Sequence, residues 1–422
     1  MKFHNKIMKL CISSAVAAGS LAAALPACGG GFGIATQSGS GTGNAYAGGA
    51  AAADDASVAW SNPAAMTALP TGTQVTFALH AVRPSFKFTN GGSTGAFNLP
   101  GAFDSSDGGS WNFIPNGYLV TTLTPSWRFG LALNVPFGLK TDYDLGWRGA
   151  PQALKSEIKT VNINPSAAYK ISDSFSIGFG VSAQKIEAEL SSAAGAAGIA
   201  SLSADDWGYG FNIGATFQPS AATRIGLHYR STIKYNLSGS ATFSSIGALN
   251  GGITADLKVP DSTSLSVFHE LNSSWDLMGD ITYTGWDSVQ QLTVIRTTPS
   301  AGGAAGSVLT NLPFLWDNTW RFAVGTNYRV NDSTKLRFGV AHDQSPTNDA
   351  TRTPRLPDQA RTWLALGVQF KPSKQGALEV AYAHEFIRDA AINVGAPPAP
   401  GTLVGTFKNK ADIISIQYSH AF

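Results

Sequence analysis

Charge is what this sequence has least of. Only 13% of its 422 residues are Asp, Glu, Lys or Arg, about half the share found in ordinary globular chains. A conventional charged surface is therefore missing. The formal net charge is +2, and no Lys/Arg run follows the extreme N-terminus, so nothing offers an electrostatic footprint for nucleic acid. Cysteine is nearly absent too. Cys11 and Cys28 are the only two, which excludes a disulfide framework and a cysteine-built metal site. The third shortage is of long apolar runs. Beyond residue 29 none approaches the roughly 20 residues that a membrane-spanning helix needs. Mean hydropathy is nevertheless balanced at +0.00, and glycine reaches 46 residues. A closed barrel with one face in lipid and the other wet would average to such values.

The N-terminus carries an address. Lys2, Lys6 and Lys9 precede an uncharged apolar stretch from Leu10 to Leu25, and the small residues Ala27, Cys28 and Gly29 follow. That order reads as an export signal over residues 1–29, with the mature start near Gly30. A lipoprotein signal acylated at Cys28 is the competing reading, and Pro26 fits that pattern poorly.

Further along, the period is two. Trp127, Phe129, Leu131, Leu133, Val135 and Phe137 alternate with Arg128, Gly130, Ala132, Asn134, Pro136 and Gly138. Trp207, Tyr209, Phe211, Ile213 and Phe217 alternate with Gly208, Gly210, Asn212, Gly214 and Gln218 in the same way. Successive side chains of a strand point to opposite faces, so each segment has a greasy face and a small or polar one. A soluble sandwich would turn Lys, Glu and Thr toward water, whereas glycine, alanine, serine and asparagine dominate here. Aromatics gather near strand ends, as girdles at two membrane interfaces would.

About fourteen such segments are expected, near 73–86, 113–122, 127–137, 158–169, 174–187, 207–218, 223–238, 253–270, 275–295, 317–330, 334–343, 361–371, 376–388 and 411–422. Their connections alternate short and long. Short turns such as Lys170 to Asp173 and long loops such as 138–157 suit an outer-membrane barrel with periplasmic turns and outer loops. Ile414, Ile416, Tyr418, His420 and Phe422 share one face of the last segment, ending the chain on an outward aromatic. The predicted fold is all-β: a transmembrane antiparallel barrel over 72–422. Residues 30–71 show no alternation and are predicted to plug a lumen too wide for side chains to fill.

The plug segment resembles a known family. Gly31-Phe32-Gly33, Gly41-Thr42-Gly43-Asn44-Ala45-Tyr46-Ala47-Gly48, Ala53-Asp54-Asp55-Ala56 and Asn62-Pro63-Ala64-Ala65-Met66 resemble the N-terminal hatch of the FadL/TodX transporters. Arg352-Thr353-Pro354-Arg355-Leu356-Pro357-Asp358-Gln359 resembles the loop before that family's twelfth strand. The resemblance implies a fourteen-stranded monomer, with Asn62, Pro63 and Ala64 as the plug motif. It also implies passive transport of long-chain fatty acids or aromatic hydrocarbons through a plugged barrel in the outer-membrane lipid, with lateral release at a kink in the third strand. The third segment carries Asn134-Val135-Pro136-Phe137-Gly138. Proline cannot donate to a ladder and glycine weakens one, so Asn134, Pro136 and Gly138 mark a candidate gate; the other reading is that Pro136 simply ends the strand.

Other chemistry is thin. Gly39-Ser40-Gly41-Thr42-Gly43 lacks the strand and helix that a phosphate loop requires. His80, His228, His384 and His420 have no metal-ligand spacing, and no Ser/His pair stands out as a hydrolase, so neither cofactor, metal nor catalytic residue is assigned. Arg321 and Arg329 are candidates for holding a carboxylate headgroup, among the lumenal cations Arg128, His228, Arg230 and Arg337, whose other role is to pair with plug carboxylates such as Asp54 and Asp55. A general diffusion porin and an adhesive surface barrel remain as alternative functions.

Overall fold

The computed structural model describes residues 29–397 and 399–422, so the export signal expected over 1–29 lies, but for Gly29, outside the described residues. Fourteen antiparallel strands close on themselves. They are β1 (Thr73–Asn90), β2 (Asn112–Thr122), β3 (Trp127–Asn134, resuming at Gly138–Asp142), β4 (Lys155–Lys170), β5 (Phe175–Ala193), β6 (Ile199–Ser220) and β7 (Thr223–Arg230, resuming at Ile233–Phe243). The second half comprises β8 (Gly251–Val259 and Ser262–Glu270), β9 (Trp275–Thr284 and Gln291–Arg296), β10 (Val308–Pro313 and Thr319–Asn331), β11 (Thr334–Asp343), β12 (Arg361–Phe370), β13 (Gly376–Ile387) and β14 (Ala399–Ala421). Closure comes from β1 pairing with β14 along its length, from Gln74 opposite Ala421 to Asn90 opposite Gly405. No free edge is left at that seam, as hydrocarbon requires.

The expected faces are in place. Phe129, Ile177, Phe179, Phe211, Ile213, Leu265, Leu366 and Ile416 point outward and are exposed, forming the lipid belt. Several boundaries differ from the sequence expectation: the fifth strand runs on to Ala193, the sixth begins at Ile199, and a strand at Val308–Pro313 lies in the loop expected over 296–316. The first strand runs on to Asn90, and the loop expected over 389–410 is largely a hairpin, with Ala390–Ala396 paired to the outer end of β14. These extensions stand above the lipid, where apolar side chains such as Phe86, Phe88, Leu403 and Phe407 turn inward and Lys87 and Lys408 face water.

Above the belt the faces invert. In β7 the inward residues are Gly226, His228 and Arg230 below the break at 231–232, but Ile233, Tyr235 and Leu237 above it, with Lys234, Asn236 and Ser238 facing water. The break at 260–261 does the same in β8, turning Ile253, Leu257 and Val259 inward and Asp256 and Lys258 outward. An irregularity of one residue exchanges the faces of everything beyond it. The outer half of the lumen is consequently apolar.

Residues 29–71 fill the inner half, with α1 (Gly39–Gly43), α2 (Val58–Ser61) and a 3-10 turn at Pro63–Ala68. The wall admits them through glycines. A Cβ at Gly178 would collide with Pro63 and Ala64, at Gly214 with Asn62, at Gly226 with the Ala50 carbonyl, and at Gly339 with the Asn44 backbone. Asn62 then ties plug to wall, accepting from Ala64 N (3.1 Å) and donating through Nδ2 to Ala50 O (2.8 Å) and Ala215 O (3.1 Å). Pro63 and Ala64 are buried beside it.

A buried ion cluster adds a second tie. Arg337 contacts Glu379 at 2.7 Å on the wall and Asp54 at 2.9 Å on the plug, and Lys335 reaches Asp54 at 3.3 Å. Burial alone would raise the Asp54 carboxyl, but the Arg337 and Lys335 charges hold it well below the usual carboxylate range. A depressed folded value means that this stabilisation is fully present above the unfolded pKa near 4 and is lost only as pH falls through the folded value. Acidification from pH 7 to 5 should therefore leave the plug seated, measured as unchanged low conductance in planar bilayers. Arg337→Met would strand Glu379 and leave Asp54 with Lys335 alone, at a cost of roughly 3–5 kcal/mol, seen as a lower thermal midpoint. Gly214→Leu should displace Asn62 and raise conductance, while Gly247→Leu on a loop should not.

Candidate functional site

Among the described residues, the ladder between β2 and β3 is cut short where the third strand breaks. β2 pairs with β3 only from Gly117 opposite Leu133 to Thr122 opposite Arg128. Beyond Leu133 the third strand leaves its neighbour, breaks over Val135, Pro136 and Phe137, and resumes at Gly138 paired to β4 alone. Pro136 therefore interrupts the strand without ending it. The edge of β2 from Asn112 to Asn116 faces this detour without a ladder partner on that side, which makes it a candidate lateral gap.

Backbone groups freed by the kink are taken up from inside. Ile34 N donates to Pro136 O at 2.9 Å, Gly138 N donates to Phe32 O at 2.9 Å, and Gly33 bridges to Phe137. The N-terminal segment thus acts as a short extra strand on the kink. Thr160 on β4 spans it from the other side, donating to Phe137 O (2.6 Å) and accepting from Phe137 N (3.0 Å). Gln37 forms the latch. Its Nε2 donates to Ile34 O and Val135 O (2.9 and 3.0 Å), while its Oε1 accepts from Asn134 Nδ2 at 2.6 Å. Asn116 across the gap donates to Thr36 O at 3.0 Å. Of the predicted gate residues, Asn134 and Gly138 are joined to the N-terminal segment together with the Pro136 carbonyl.

Two spaces meet here. Outward lies the apolar chamber, walled by Leu139, Leu190, Leu237, Leu257, Leu292, Leu312 and Leu356. Inward, between plug and wall, is a cavity of about 300 Å³ that touches Ile34, Tyr46, Trp60, Pro136, Phe137 and Asp280. Phe32 stands between them, with ring centroids 5.8 Å from Phe137, 5.0 Å from Trp286 and 5.6 Å from Trp316. The edge-on contacts with Phe137 and Trp286 add about 1 kcal/mol each beyond burial and hold the ring across the junction.

Of the predicted headgroup arginines, Arg321 borders the inward cavity and Arg329 sits at a short turn. Arg321 donates to Ala45 O of the plug, with its guanidinium 5.5 Å from the Trp363 ring. Arg329 pairs with Asp276 at 2.5 Å and donates to Asn272 and Ser273 carbonyls at a short turn. Neither lines the apolar chamber; Arg355 does. Its Nη1 donates to Ser156 Oγ (3.0 Å) and to the Lys155 and Ser191 carbonyls (both 3.3 Å), its Nε has no partner, and it forms no ion pair among the described residues. Burial pulls its guanidinium down to about 10.

Sequence reasoning passed over Arg355, Phe32, Gln37 and the chamber leucines as site residues. A signal for the chamber existed in Ile233-Lys234-Tyr235-Asn236-Leu237, where polar partners replace the small ones of the lipid belt.

Comparison with known proteins agrees with this architecture. Outer membrane protein P1 of Haemophilus influenzae is 29% identical over 89% of this chain and 90% of its own length. The long-chain fatty acid transport protein of Escherichia coli K12 is 26% identical over 86% of this chain and 90% of its own. Among solved structures, a Pseudomonas aeruginosa FadL homologue superposes with a TM-score of 0.84 at 26% identity, covering 93% of this chain and 100% of the other. The Ralstonia pickettii toluene transporter TbuX shares the fold, with a TM-score of 0.66 at 19% identity over 91% and 98% of the two chains. Residues 20–422 match the sequence model of the family described as outer membrane protein transport protein (OMPP1/FadL/TodX), and the chain belongs to that outer-membrane family.

Proposed function

We propose that the protein carries hydrophobic small molecules passively across the outer membrane, by way of the apolar chamber, past Phe32 and out sideways through the gap between β2 and β3. The observation that carries this reading is the apolar lining of the outer lumen. A diffusion porin lines its lumen with polar groups and keeps it open to water, whereas here leucine and isoleucine line the outer half and a plug fills the inner half. Relatives named for fatty acid and toluene transport suggest the range of cargo. Within that range Arg355 favours a cargo ending in a carboxylate, because a cation without an anionic partner among apolar side chains gains most from one. The lateral exit spares such a cargo from crossing water. Transport of this kind needs no catalytic step, only sites weak enough to release.

Expression in a strain lacking its own fatty acid and hydrocarbon carriers should restore uptake of labelled oleate or toluene, with little ion conductance in planar bilayers. Steady conductance without uptake would instead mark a porin. Arg355→Gln should weaken oleate binding about tenfold or more, the worth of one charge-assisted hydrogen bond, and leave methyl oleate unchanged, as read by fluorescence titration. Removing the latch by Gln37→Ala should speed hydrogen exchange at the Ile34 and Gly138 amides by about thirtyfold to a hundredfold, since two or three Gln37 hydrogen bonds of about 1 kcal/mol each are lost. Unchanged exchange would mean that the segment is held by something else.

A further inference from the structure

The closing seam carries charge that neither the wall nor the proposed transport uses. Lys87 on β1 and Lys408 on β14 are direct partners across the ladder, and both side chains point outward and are exposed. Lys410 follows two residues along the same face of β14, and Arg83 lies below Lys87 on β1. Like charges directly opposed in an antiparallel pair are destabilising. Two carboxylates flank the four cations without cancelling them: Asp107 is the ladder partner of Lys87 on the other side of β1, and Asp412 is the partner of Arg83. Asp107 accepts from Ser85 Oγ (2.7 Å), Phe86 N (2.7 Å) and Gly109 N (2.9 Å). Asp412 accepts from Tyr382 OH at 2.6 Å and contacts His384 Nδ1 at 2.7 Å. None of the four cations forms an ion pair among the described residues.

Height in the membrane indicates what could relieve them. Outward Phe77, Leu79, Ile414 and Ile416 form the lipid belt just below. Exposed Phe113 is the partner of Ala81, and exposed Phe386 is the partner of Lys410, so the cations stand level with the outer aromatic girdle or just above it. At that level a bilayer presents its headgroups. The long-loop end of the barrel is the outer-leaflet side, where a bacterial outer membrane carries phosphorylated glycolipid. Lysine stems lie along apolar surface while their amines reach the interface, and neighbouring strands about 5 Å apart bring Lys87 and Lys408 within reach of one phosphate. Thr89 and Thr406, another outward pair one step above, add hydroxyls where sugar would lie.

We propose that this seam is a binding site for a phosphate-bearing glycolipid of the outer leaflet, with Lys87 and Lys408 sharing a phosphate and Lys410 and Arg83 completing the site. The anion converts a repulsive pair into a bridge that fastens the first strand to the last.

The test uses the full mature barrel in neutral detergent and native mass spectrometry. The probes are diphosphorylated lipid A, its dephosphorylated form and phosphatidylglycerol. Wild type should retain the diphosphorylated form about tenfold or more better than either other lipid. K87Q/K408Q/K410Q should lose that preference, and K371Q/K374Q on the opposite rim should keep it. A second readout guards against misfolding of the triple variant. K408Q alone should match or exceed the thermal midpoint of wild type in lipid-free micelles, yet fall below it once diphosphorylated lipid A is added. Equal retention of phosphorylated and dephosphorylated lipid, equal retention of phosphatidylglycerol, or a K408Q midpoint that does not reverse its order would each overturn the proposal.

Discussion

A backbone amide or carbonyl facing hydrocarbon has no water to turn to, so its partner must come from the protein. Most of this wall meets that demand by closing β1 on β14. At Val135–Phe137 the strand turns away from β2, and the chain's own N-terminus supplies the missing hydrogen bonds from Phe32 and Ile34. The break and the N-terminal segment are therefore joined by hydrogen bonds, and Phe32 is positioned by the same contacts.

Composition on the two faces decides what such a barrel can pass. In the lipid belt the lumen side is small and polar, which suits a plug whose backbone approaches the wall at Gly178, Gly214, Gly226 and Gly339. Above the belt the greasy face turns inward, and the barrel becomes a cup of leucine and isoleucine with a polar exterior. A hydrophobic molecule partitions into that cup from the outer surface, at about 25 cal/mol per Å² of apolar area removed from water. On the proposed route it then meets Phe32 beside the break in the third strand, and the hydrophobic effect would drive entry and reward exit into the membrane.

Much of this was legible in the residues. The strand count, the alternation of short turns with long loops, the outward terminal Phe422 and the break at Pro136 follow from local rules about faces and ladder donors. The plug motif was legible through resemblance, and its seat on wall glycines was not. The inverted faces were hidden for a physical reason: an alternation reads the same whichever side is inside, and only closure settles the matter. At 231–232 and 260–261 a single irregular step exchanged the faces, which looked from the sequence like continuation of one strand. Arg355 was hidden because its partners Lys155, Ser156 and Ser191 lie some 160 to 200 positions away in sequence. Whether an arginine is neutralised is a property of the assembled lumen.

The central claim is that cargo rests in the apolar cup and leaves through the wall at the third strand. Photo-crosslinking with a fatty acid carrying a diazirine in its tail, followed by peptide mapping, tests it directly. Adducts are predicted on the chamber side chains Leu237, Leu257 and Leu292, on Phe32, and on the gap flanks at 112–116 and 135–137. Adducts confined to the lipid belt, or emerging on the periplasmic side of the plug around Asn62, would contradict the account.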